Sequence, residues 1–139
     1  MTLHQRDYEQ LLTFRTGLRR FLQWSAEQAA RAGLTPGQHQ LLLAIRGHPD
    51  PTGPTIGDVA GYLLVRHHSA VELADRAVAA GLVERRQDTG DLRMVRLHLT
   101  PDGAERLARL SAAHLEELKR FAPQLEVLWD GLDKVRHDP

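Results

Sequence analysis

The sequence predicts a mainly α-helical protein that carries one small β-hairpin. Apolar residues recur every three or four positions over most of the chain, which is the spacing of helices with one buried face. Two threonines stand where helix-capping boxes begin, and one pair of alternating apolar and polar segments flanks turn residues near position 90. The 139 residues, 42% of them hydrophobic, suffice for one domain with a core built mainly from Leu, Val and Ala.

The first two predicted helices occupy the N-terminal third of the chain. Helical spacing extends over residues 5–31 and ends at Gly33. A second helix begins at Thr35, because a proline follows at the first helical position and Gln38 completes a capping box. Its apolar residues predict burial: Leu41, Leu42, Leu43 and Ile45. Residues 47–54, with three prolines and two glycines, predict a loop.

A helix–turn–helix pattern follows this loop. Thr55 caps a short helix, and Asp58 stands three residues further on. A tight turn leads to a longer helix that extends from Arg66 to Ala80 and is ended by Gly81. The second helix is longer and polar near its start, as in helices that read DNA, although many helix pairs share this pattern.

The next segment predicts a β-hairpin. Residues 82–86 and 92–99 are strand-like, and residues 88–91 between them are turn formers. Alternation along the second strand places Arg93 near the turn and three apolar residues toward the core: Val95, Leu97 and Leu99. A hairpin directly after the second helix of such a pair is a wing, so we predict a winged helix–turn–helix fold.

The two ends of the chain are expected to form dimerisation helices. A Thr-Pro pair at residues 100–101 begins an amphipathic helix, which Pro123 is expected to separate from a last helical segment. The predicted organisation is therefore an N-terminal dimerisation helix (1–34), a winged helix–turn–helix domain (35–100) and C-terminal dimerisation helices (101–139). Apolar stripes on helices of so short a chain need a partner to cover them, which predicts a homodimer.

Composition excludes several classes of function. Without cysteine the chain has no disulfide, thiolate metal site or thiol redox switch. No apolar run is long enough for a signal peptide or a membrane span, so we expect a soluble cytoplasmic protein that does not bind membranes. Nucleophile elbows, phosphate loops, HExxH and EF-hand spacings do not occur, which argues against an enzyme.

The charge balance is neutral, so any nucleic-acid binding depends on where individual arginines point. The segment between residues 63 and 100 contains six arginines and five acidic residues. Arginine outnumbers lysine in the whole chain by 16 to 2. This ratio suits bidentate contacts with guanine and phosphate, but a GC-rich coding bias would produce it as well.

Several short sequences occur in an order and spacing typical of one family. They are Gly81-Leu82-Val83-Glu84-Arg85, Asp91-Leu92-Arg93 and Leu99-Thr100-Pro101-Asp102-Gly103, preceded by Leu34-Thr35-Pro36 with Gln38 and by Thr55-Ile56-Gly57-Asp58-Val59-Ala60. Over about residues 5–135 the chain resembles the MarR family of transcription regulators. The resemblance implies a dimeric repressor that binds a palindromic double-stranded DNA operator and is released by a small-molecule effector. Leu92 departs from the family pattern, in which an arginine often precedes the wing arginine.

The candidate DNA-binding residues fall into two groups. Polar side chains near the start of the second helix would meet base edges and phosphates in the major groove. On the wing, Arg93 would enter the minor groove with Asp91 orienting it, and the alternative is a solvated surface pair. The full set is Arg66, His67, His68, Ser69, Glu72, Arg76, Arg86, Asp91 and Arg93. The adjacent His67 and His68 point about 100° apart on a helix, so no metal site is predicted.

The resemblance implies two further sets of residues. Asp75 and Arg85 match an ion pair that joins the second helix to the wing. A cleft between dimerisation helices and DNA-binding lobe would be lined by Trp24, His39, Leu42 and His114. A small aromatic anion fits this apolar set with its two basic rings, although His39 also fits a plain packing role. No cofactor is expected. The alternative to a DNA-binding regulator is a winged-helix adaptor that binds protein.

Overall fold

A computed structural model describes the backbone of residues 1–135 and the side chains of residues 1–127 and Asp130. Within this part the chain forms five helices and two strands: α1 (Gln5–Arg31), α2 (Pro36–Gly47), α3 (Ile56–Leu63), α4 (His67–Ala79), β1 (Val83–Gln87), β2 (Val95–Leu99) and α5 (Pro101–Val135). The mainly helical class with one hairpin is confirmed. The chain divides into two compact units, which are described separately.

The larger unit, Gln28–Leu110, contains the helix–turn–helix and the hairpin and is called the winged unit. It extends beyond the predicted range 35–100 at both ends, because Ala29 and Leu34 before it and Leu107 and Leu110 after it belong to its buried core. The fully buried side chains at its centre come from α2, α3, the residue before β1, and β2: Leu41, Leu42, Val59, Leu82 and Leu97. Leu43, predicted to be buried, is exposed, because it lies on the opposite side of α2 from the core.

Both predicted capping boxes are present in the winged unit. The Thr35 hydroxyl accepts from the Gln38 backbone N–H at 3.1 Å, and the Gln38 side chain accepts from the Thr35 N–H at 3.0 Å. Thr55 and Asp58 make the same reciprocal pair at 3.1 and 3.0 Å. Each box satisfies two backbone donors that a helix start leaves unpaired, so the sequence specifies where α2 and α3 begin.

The turn between α3 and α4 uses an unusual residue. Leu64 ends α3 with a φ of +54°, a left-handed conformation that leucine rarely adopts. Its side chain is 91% exposed, so packing of this side chain does not offset the strain. The Val65 N–H donates to the Ala60 carbonyl across the turn at 3.1 Å, which fixes the point at which α4 departs.

The two strands form an antiparallel hairpin in which Val83 lies opposite Leu99 and Gln87 lies opposite Val95. The second strand begins at Val95 rather than at Leu92, because residues 88–94 form a hydrogen-bonded loop. Val95 was predicted to face the core, yet it is 36% exposed. Its position at the far end of the hairpin, opposite the exposed Gln87, explains the difference, since the core contacts only the base of the wing.

The smaller unit comprises residues 1–27 and 111–139 and is called the helical unit. Its described interior contains an aromatic cluster in which the ring of Phe21 lies within 6.2 Å, centre to centre, of three others: Trp24, His114 and Phe121. Many other apolar side chains of this unit are exposed, among them Tyr8, Leu11, Leu12, Leu22, Leu115, Leu118 and Val127.

The predicted break at Pro123 is wrong, because α5 is one helix from Pro101 to Val135 that contains this proline. Proline removes one backbone donor and crowds the preceding turn, so it disfavours a helix interior. Here the apolar helical spacing continues on both sides, through Leu118 and Phe121 before the proline and Leu125 after it. The chain therefore has a single long C-terminal helix where two were predicted.

Gly103 near the start of α5 supplies a sharp test of packing. A Cβ atom at this position would lie 2.1 Å from the Leu82 carbonyl oxygen. We expect Gly103→Ala to lower the free energy of unfolding by about 1–3 kcal/mol, because rigid backbone must move to admit the methyl group. Urea denaturation measures the change.

Gly61→Ala is the matched control. It places the same methyl group inside α3, where no neighbouring atom lies within 4 Å. Alanine has the higher helix propensity, so this variant should be neutral or stabilised by up to about 1 kcal/mol. Equal effects of the two substitutions would contradict the packing explanation.

Candidate nucleic-acid interface

Helix α4 has a buried face of small residues and an exposed polar face. Ala70, Ala74 and Ala77 are fully buried, so the helix lies close to the core. His68, Glu72 and Arg76 follow one another at intervals of four residues, on the opposite side of the helix. All three are exposed. The sequence thus places a continuous polar stripe outward and leaves this face open to a partner.

The first turn of α4 adds three more of the predicted residues. Arg66 occupies the N-cap position and makes no side-chain cap hydrogen bond. Arg66 and His67 are exposed, and Ser69 is half-buried. The positive end of the helix dipole and an arginine therefore lie together at the start of α4.

The loop at the tip of the hairpin (residues 88–94, here called the wing loop) is closed by hydrogen bonds. The Asp88 N–H donates to the Met94 carbonyl at 2.9 Å, and the Met94 N–H donates to the Asp91 carbonyl at 3.0 Å. Asp91 Oδ1 accepts from the Arg93 N–H at 3.0 Å and lies 3.4 Å from Arg93 Nε. The Arg93 side chain is 94% exposed. Asp91 thus holds the backbone at Arg93 while the guanidinium extends into solvent.

Two ion pairs accompany β1. Arg85 Nη2 donates to Asp75 Oδ1, so the helix-to-strand pair implied by the family resemblance is present between α4 and β1. Arg86, a predicted DNA contact, donates through Nε to Glu84 Oε1 at 2.7 Å. Both members of that second pair remain substantially exposed.

An arginine that sequence reasoning did not single out forms the most enclosed contact of the wing. Arg96 Nε donates to Asp88 Oδ1 at 3.1 Å, and its Nη1 donates to the Gly53 carbonyl at 2.9 Å. The side chains of Arg96 and Asp88 are each only 17% exposed. Alternation along β2 predicted that Arg96 lies on the face away from the core. The loop between α2 and α3 (residues 48–55, the α2–α3 loop) covers that face, and no signal in the sequence indicated this contact.

The α2–α3 loop contributes a second polar cluster that the sequence did not reveal. His48 Nδ1 and the Tyr62 hydroxyl are hydrogen-bonded at 2.8 Å, and His48 Nε2 lies 3.9 Å from Asp58 Oδ2. The hydrogen bond that the Thr55 N–H donates to Asp58 is the main cause of the lowered pKa of this carboxyl group. The charges of His48 and Arg96 lower the pKa further. The cluster joins the loop to α3.

The residues expected to bind an effector are divided between the two units. In the helical unit, the Trp24 and His114 rings lie 4.8 Å apart, and the Ser25 hydroxyl is hydrogen-bonded to His114 Nε2 at 2.7 Å. In the winged unit, Leu42 is fully buried and His39 is 4% exposed. His39 therefore has the burial of a packed core residue, the alternative that the sequence left open.

The described residues contain neither a metal-ligand cluster nor a membrane-spanning helix. Among the described side chains, no three His, Cys, Asp or Glu residues are grouped closely enough to hold a metal ion. No helix among the described residues combines the length and the apolar character needed to cross a membrane.

Comparison with known proteins identifies relatives of this chain. Residues 32–94 match the model of the MarR family. The chain is 29% identical over 105 residues to a putative transcriptional regulatory protein for the hcr operon of Thauera aromatica. The aligned part is 76% of this chain but 61% of that relative, so this chain spans about three fifths of its length.

Solved structures share the fold. A MarR family transcription regulator superposes with a TM-score of 0.76 at 24% identity, covering 94% of this chain and 85% of that one. A complex of Staphylococcus aureus MepR with DNA gives a TM-score of 0.71 at 20% identity, covering 89% of this chain and 93% of that one. The winged helix–turn–helix fold predicted from the sequence is confirmed.

The wing should lose stability in acid. Hydrogen bonds from the Asp91 N–H and then from Arg96 lower the pKa of Asp88 from its ordinary value of 3.8. A carboxylate whose pKa is lower in the folded state stabilises the protein above pH 3.8 and loses that contribution as the pH falls through the folded-state pKa. We expect Asp88→Asn to be destabilised relative to the parent chain at pH 6, with the difference shrinking below pH 4. Urea denaturation at pH 6, 5, 4 and 3 measures it, and a constant difference would contradict the role of charge.

Proposed function

We propose that this chain, which matches the model of the MarR family over residues 32–94, binds double-stranded DNA as a homodimer and regulates transcription. The observation that carries the proposal is the exposed polar face of α4 beside a wing that presents Arg93 to solvent. The Asp75–Arg85 pair joins these two elements, so both would approach a duplex as one surface. The names of two similar proteins, a putative transcriptional regulatory protein and a MarR family transcription regulator, favour this over a protein-binding adaptor.

Helix α4 suits the major groove. An α-helix fits that groove with the residues of its first turns facing the base edges. His68 and Ser69 would read bases there, and Glu72 would accept from a cytosine amino group. Arg66 and His67 would contact phosphate at the helix start, where the dipole adds a positive charge. Arg76 stands two turns further on and would reach the sugar–phosphate backbone.

The wing suits the adjacent minor groove. A guanidinium on a narrow loop is attracted by the negative potential of that groove, which is deepest over A·T-rich DNA. Arg93 is exposed, and its backbone is held by Asp91. Arg86 on β1 would supply a phosphate contact at the edge of this surface. The proposed interface thus combines base reading by α4 with shape reading by the wing.

The homodimer is proposed from the exposed apolar residues of the helical unit. Leu11 and Leu12 on α1 are 60% and 65% exposed, and Leu115 on α5 is 60% exposed. A second copy that covers these residues would present two α4 helices related by a twofold axis, which matches a palindromic operator.

Repression and its release by a ligand complete the proposal. A repressor blocks transcription by occupying its operator. A ligand releases the repressor only if it binds the released conformation more tightly than the DNA-binding conformation. The aromatic pair Trp24 and His114 supports a small aromatic anion as effector, because it offers a stacking face and a basic ring in contact. His39 and Leu42, the other two residues predicted to bind an effector, are buried in the core of the winged unit and are not part of this proposal.

The DNA proposal is tested with a duplex that the protein itself enriches from a random-sequence pool. Binding to that duplex should weaken steeply with salt, since phosphate contacts release counterions. Arg93→Ala should reduce the salt slope by about one, because one cationic contact is lost. Its affinity should fall by about ten- to hundredfold, the range for a lost charged hydrogen bond. Fluorescence anisotropy at several salt concentrations measures both.

Arg109→Ala is the control for the change in net charge. Arg109 lies on α5 and pairs with Glu105 at 2.8 Å, away from the proposed surface. This variant should keep the parental affinity and slope. Failure to enrich any duplex, or equal losses in both variants, would refute the proposed mode of DNA binding.

The dimer is tested by light scattering. At micromolar concentration the mass should be twice the 15.6 kDa of one chain. Leu12→Glu places a charge among the exposed apolar residues of the helical unit and should shift the mass toward one chain. Leu92→Glu makes the same change at the 70% exposed wing position and should leave the dimer intact. A parent chain that is monomeric at this concentration would show the homodimer to be wrong.

A further inference from the structure

The wing loop needs support that its own strands do not provide. Residues 88–94 lie beyond the last strand pair, Gln87 opposite Val95, and the single backbone bond from Asp88 to Met94 joins the two ends of the loop without reaching its tip. Arg93 is almost wholly exposed, and its guanidinium contacts Asp91 only at 3.4 Å. A loop free to move would present Arg93 in many directions, and binding DNA would then require the loop to be ordered at a cost in entropy.

Arg96 provides a connection from the wing loop to the body of the winged unit. Its Nε donates to Asp88, the first residue of the loop, while its Nη1 donates to the Gly53 carbonyl in the α2–α3 loop. The other oxygen of Asp88 accepts from the Asp91 N–H at 3.0 Å, and Asp91 accepts from the Arg93 N–H. An unbroken series of hydrogen bonds therefore links Gly53 to the backbone of Arg93.

The anchor at Gly53 is itself rigid. Gly53 has a φ of +92°, and a Cβ atom there would lie 2.6 Å from the Leu97 carbonyl oxygen. The Leu97 N–H donates to the Pro54 carbonyl at 2.9 Å, and Thr55 forms a backbone bridge with Arg96. The α2–α3 loop thus packs against β2 along its backbone, and the Gly53 carbonyl is a fixed acceptor for Arg96.

The enclosure of Arg96 distinguishes it from the other wing arginines. Arg96 and Asp88 are each 17% exposed, whereas Arg86 and Glu84 beside them are 58% and 44% exposed. Surface pairs are weakened by water and salt, but enclosed pairs with hydrogen bonds hold one geometry. Only the forked guanidinium has donors that reach a carboxylate and a carbonyl together, which lysine cannot reproduce.

We infer that Arg96 is a positioning residue for DNA binding, which holds the wing loop to the α2–α3 loop so that Arg93 enters the minor groove in one fixed orientation. The inference rests on the proposed function, since it assigns Arg96 a role in that same interface. Arg96 itself touches no DNA, because its guanidinium is turned inward between Asp88 and Gly53.

The experiment is a double-mutant cycle on binding to the enriched duplex. Arg96→Met, Arg93→Ala and the double variant are compared with the parent chain by anisotropy at several salt concentrations. Arg96→Met should weaken binding by about ten- to hundredfold and lower the salt slope by about one, like Arg93→Ala, because the wing contact is lost in both. The double variant should bind no more weakly than either single variant.

Arg106→Met is the matched control. Arg106 makes the same two kinds of contact elsewhere in the winged unit, through Nε to Asp102 at 3.1 Å and through Nη1 to the Ala32 carbonyl at 3.5 Å. Its loss removes one charge and one ion pair without touching the wing. This variant should retain the parental affinity and slope, and amide hydrogen exchange of residues 89–94 should accelerate in Arg96→Met but not in Arg106→Met.

The outcomes are distinct. The inference would be overturned if Arg96→Met bound with parental affinity, or if the two losses in affinity added in the double variant. A loss of affinity in Arg93→Ala would still support the proposed function in either case. If Arg93→Ala bound DNA with parental affinity, the wing would make no contact with DNA, and the role inferred for Arg96 would be refuted as well. If Arg96→Met does not fold by circular dichroism, Asp88→Asn replaces it. That variant keeps the Gly53 bond and should show the same weakened affinity, lowered slope and non-additivity.

Discussion

The close backbone contact between β2 and the α2–α3 loop is the constraint on which the wing depends. A two-stranded hairpin alone is barely stable in water and needs a third element to fix it. Here the Leu97 N–H is satisfied by Pro54 and the Leu97 side chain is fully buried, so β2 is held by the loop and by the core together. Only glycine fits at position 53, because its φ is positive and a Cβ atom would strike the Leu97 carbonyl.

The same core also fixes α4, so that the two proposed DNA-contacting elements share one base. The small side chains of Ala70, Ala74 and Ala77 let α4 pack against the same buried core to which Leu97 belongs. The Asp75–Arg85 pair then joins α4 to β1, and β1 is paired with β2. Since α4 rests on the shared core through buried alanines and β1 is paired with β2 along its backbone, the distance between α4 and the wing is set by the folded chain before any DNA binds. Such preorganisation reduces the entropy lost on binding.

Local signals explain which parts of this structure the sequence could predict. The capping boxes at Thr35 and Thr55 and the glycine after α4 involve neighbours in the chain, so the starts of α2 and α3 and both ends of α4 were predicted to within one or two residues. The error at Pro123 came from giving one residue more weight than the helical spacing around it. Arg96 was missed for a different reason: its partners Asp88 and Gly53 lie 8 and 43 residues away, and no local pattern reports such contacts. Arg66, His67 and His68 at the start of α4 and Arg93 at the wing tip are exposed, as their positions in the pattern predicted, whereas Ser69 is half-buried.

The neutral charge balance is compatible with DNA binding once the internal pairs are separated from the surface. Four of the five acids between residues 63 and 100 lie beside an arginine of the same unit: Asp75 with Arg85, Glu84 with Arg86, Asp88 with Arg96 and Asp91 with Arg93. These acids organise the wing and its link to α4, so they do not form a separate negative patch. Arg66 and Arg76 on α4 are outside these four pairs, and both are exposed. Because the field at a phosphate depends on nearby charges rather than on the sum over the chain, the exposed Arg66, Arg76 and Arg93 can each meet a phosphate or a groove although the net charge is zero.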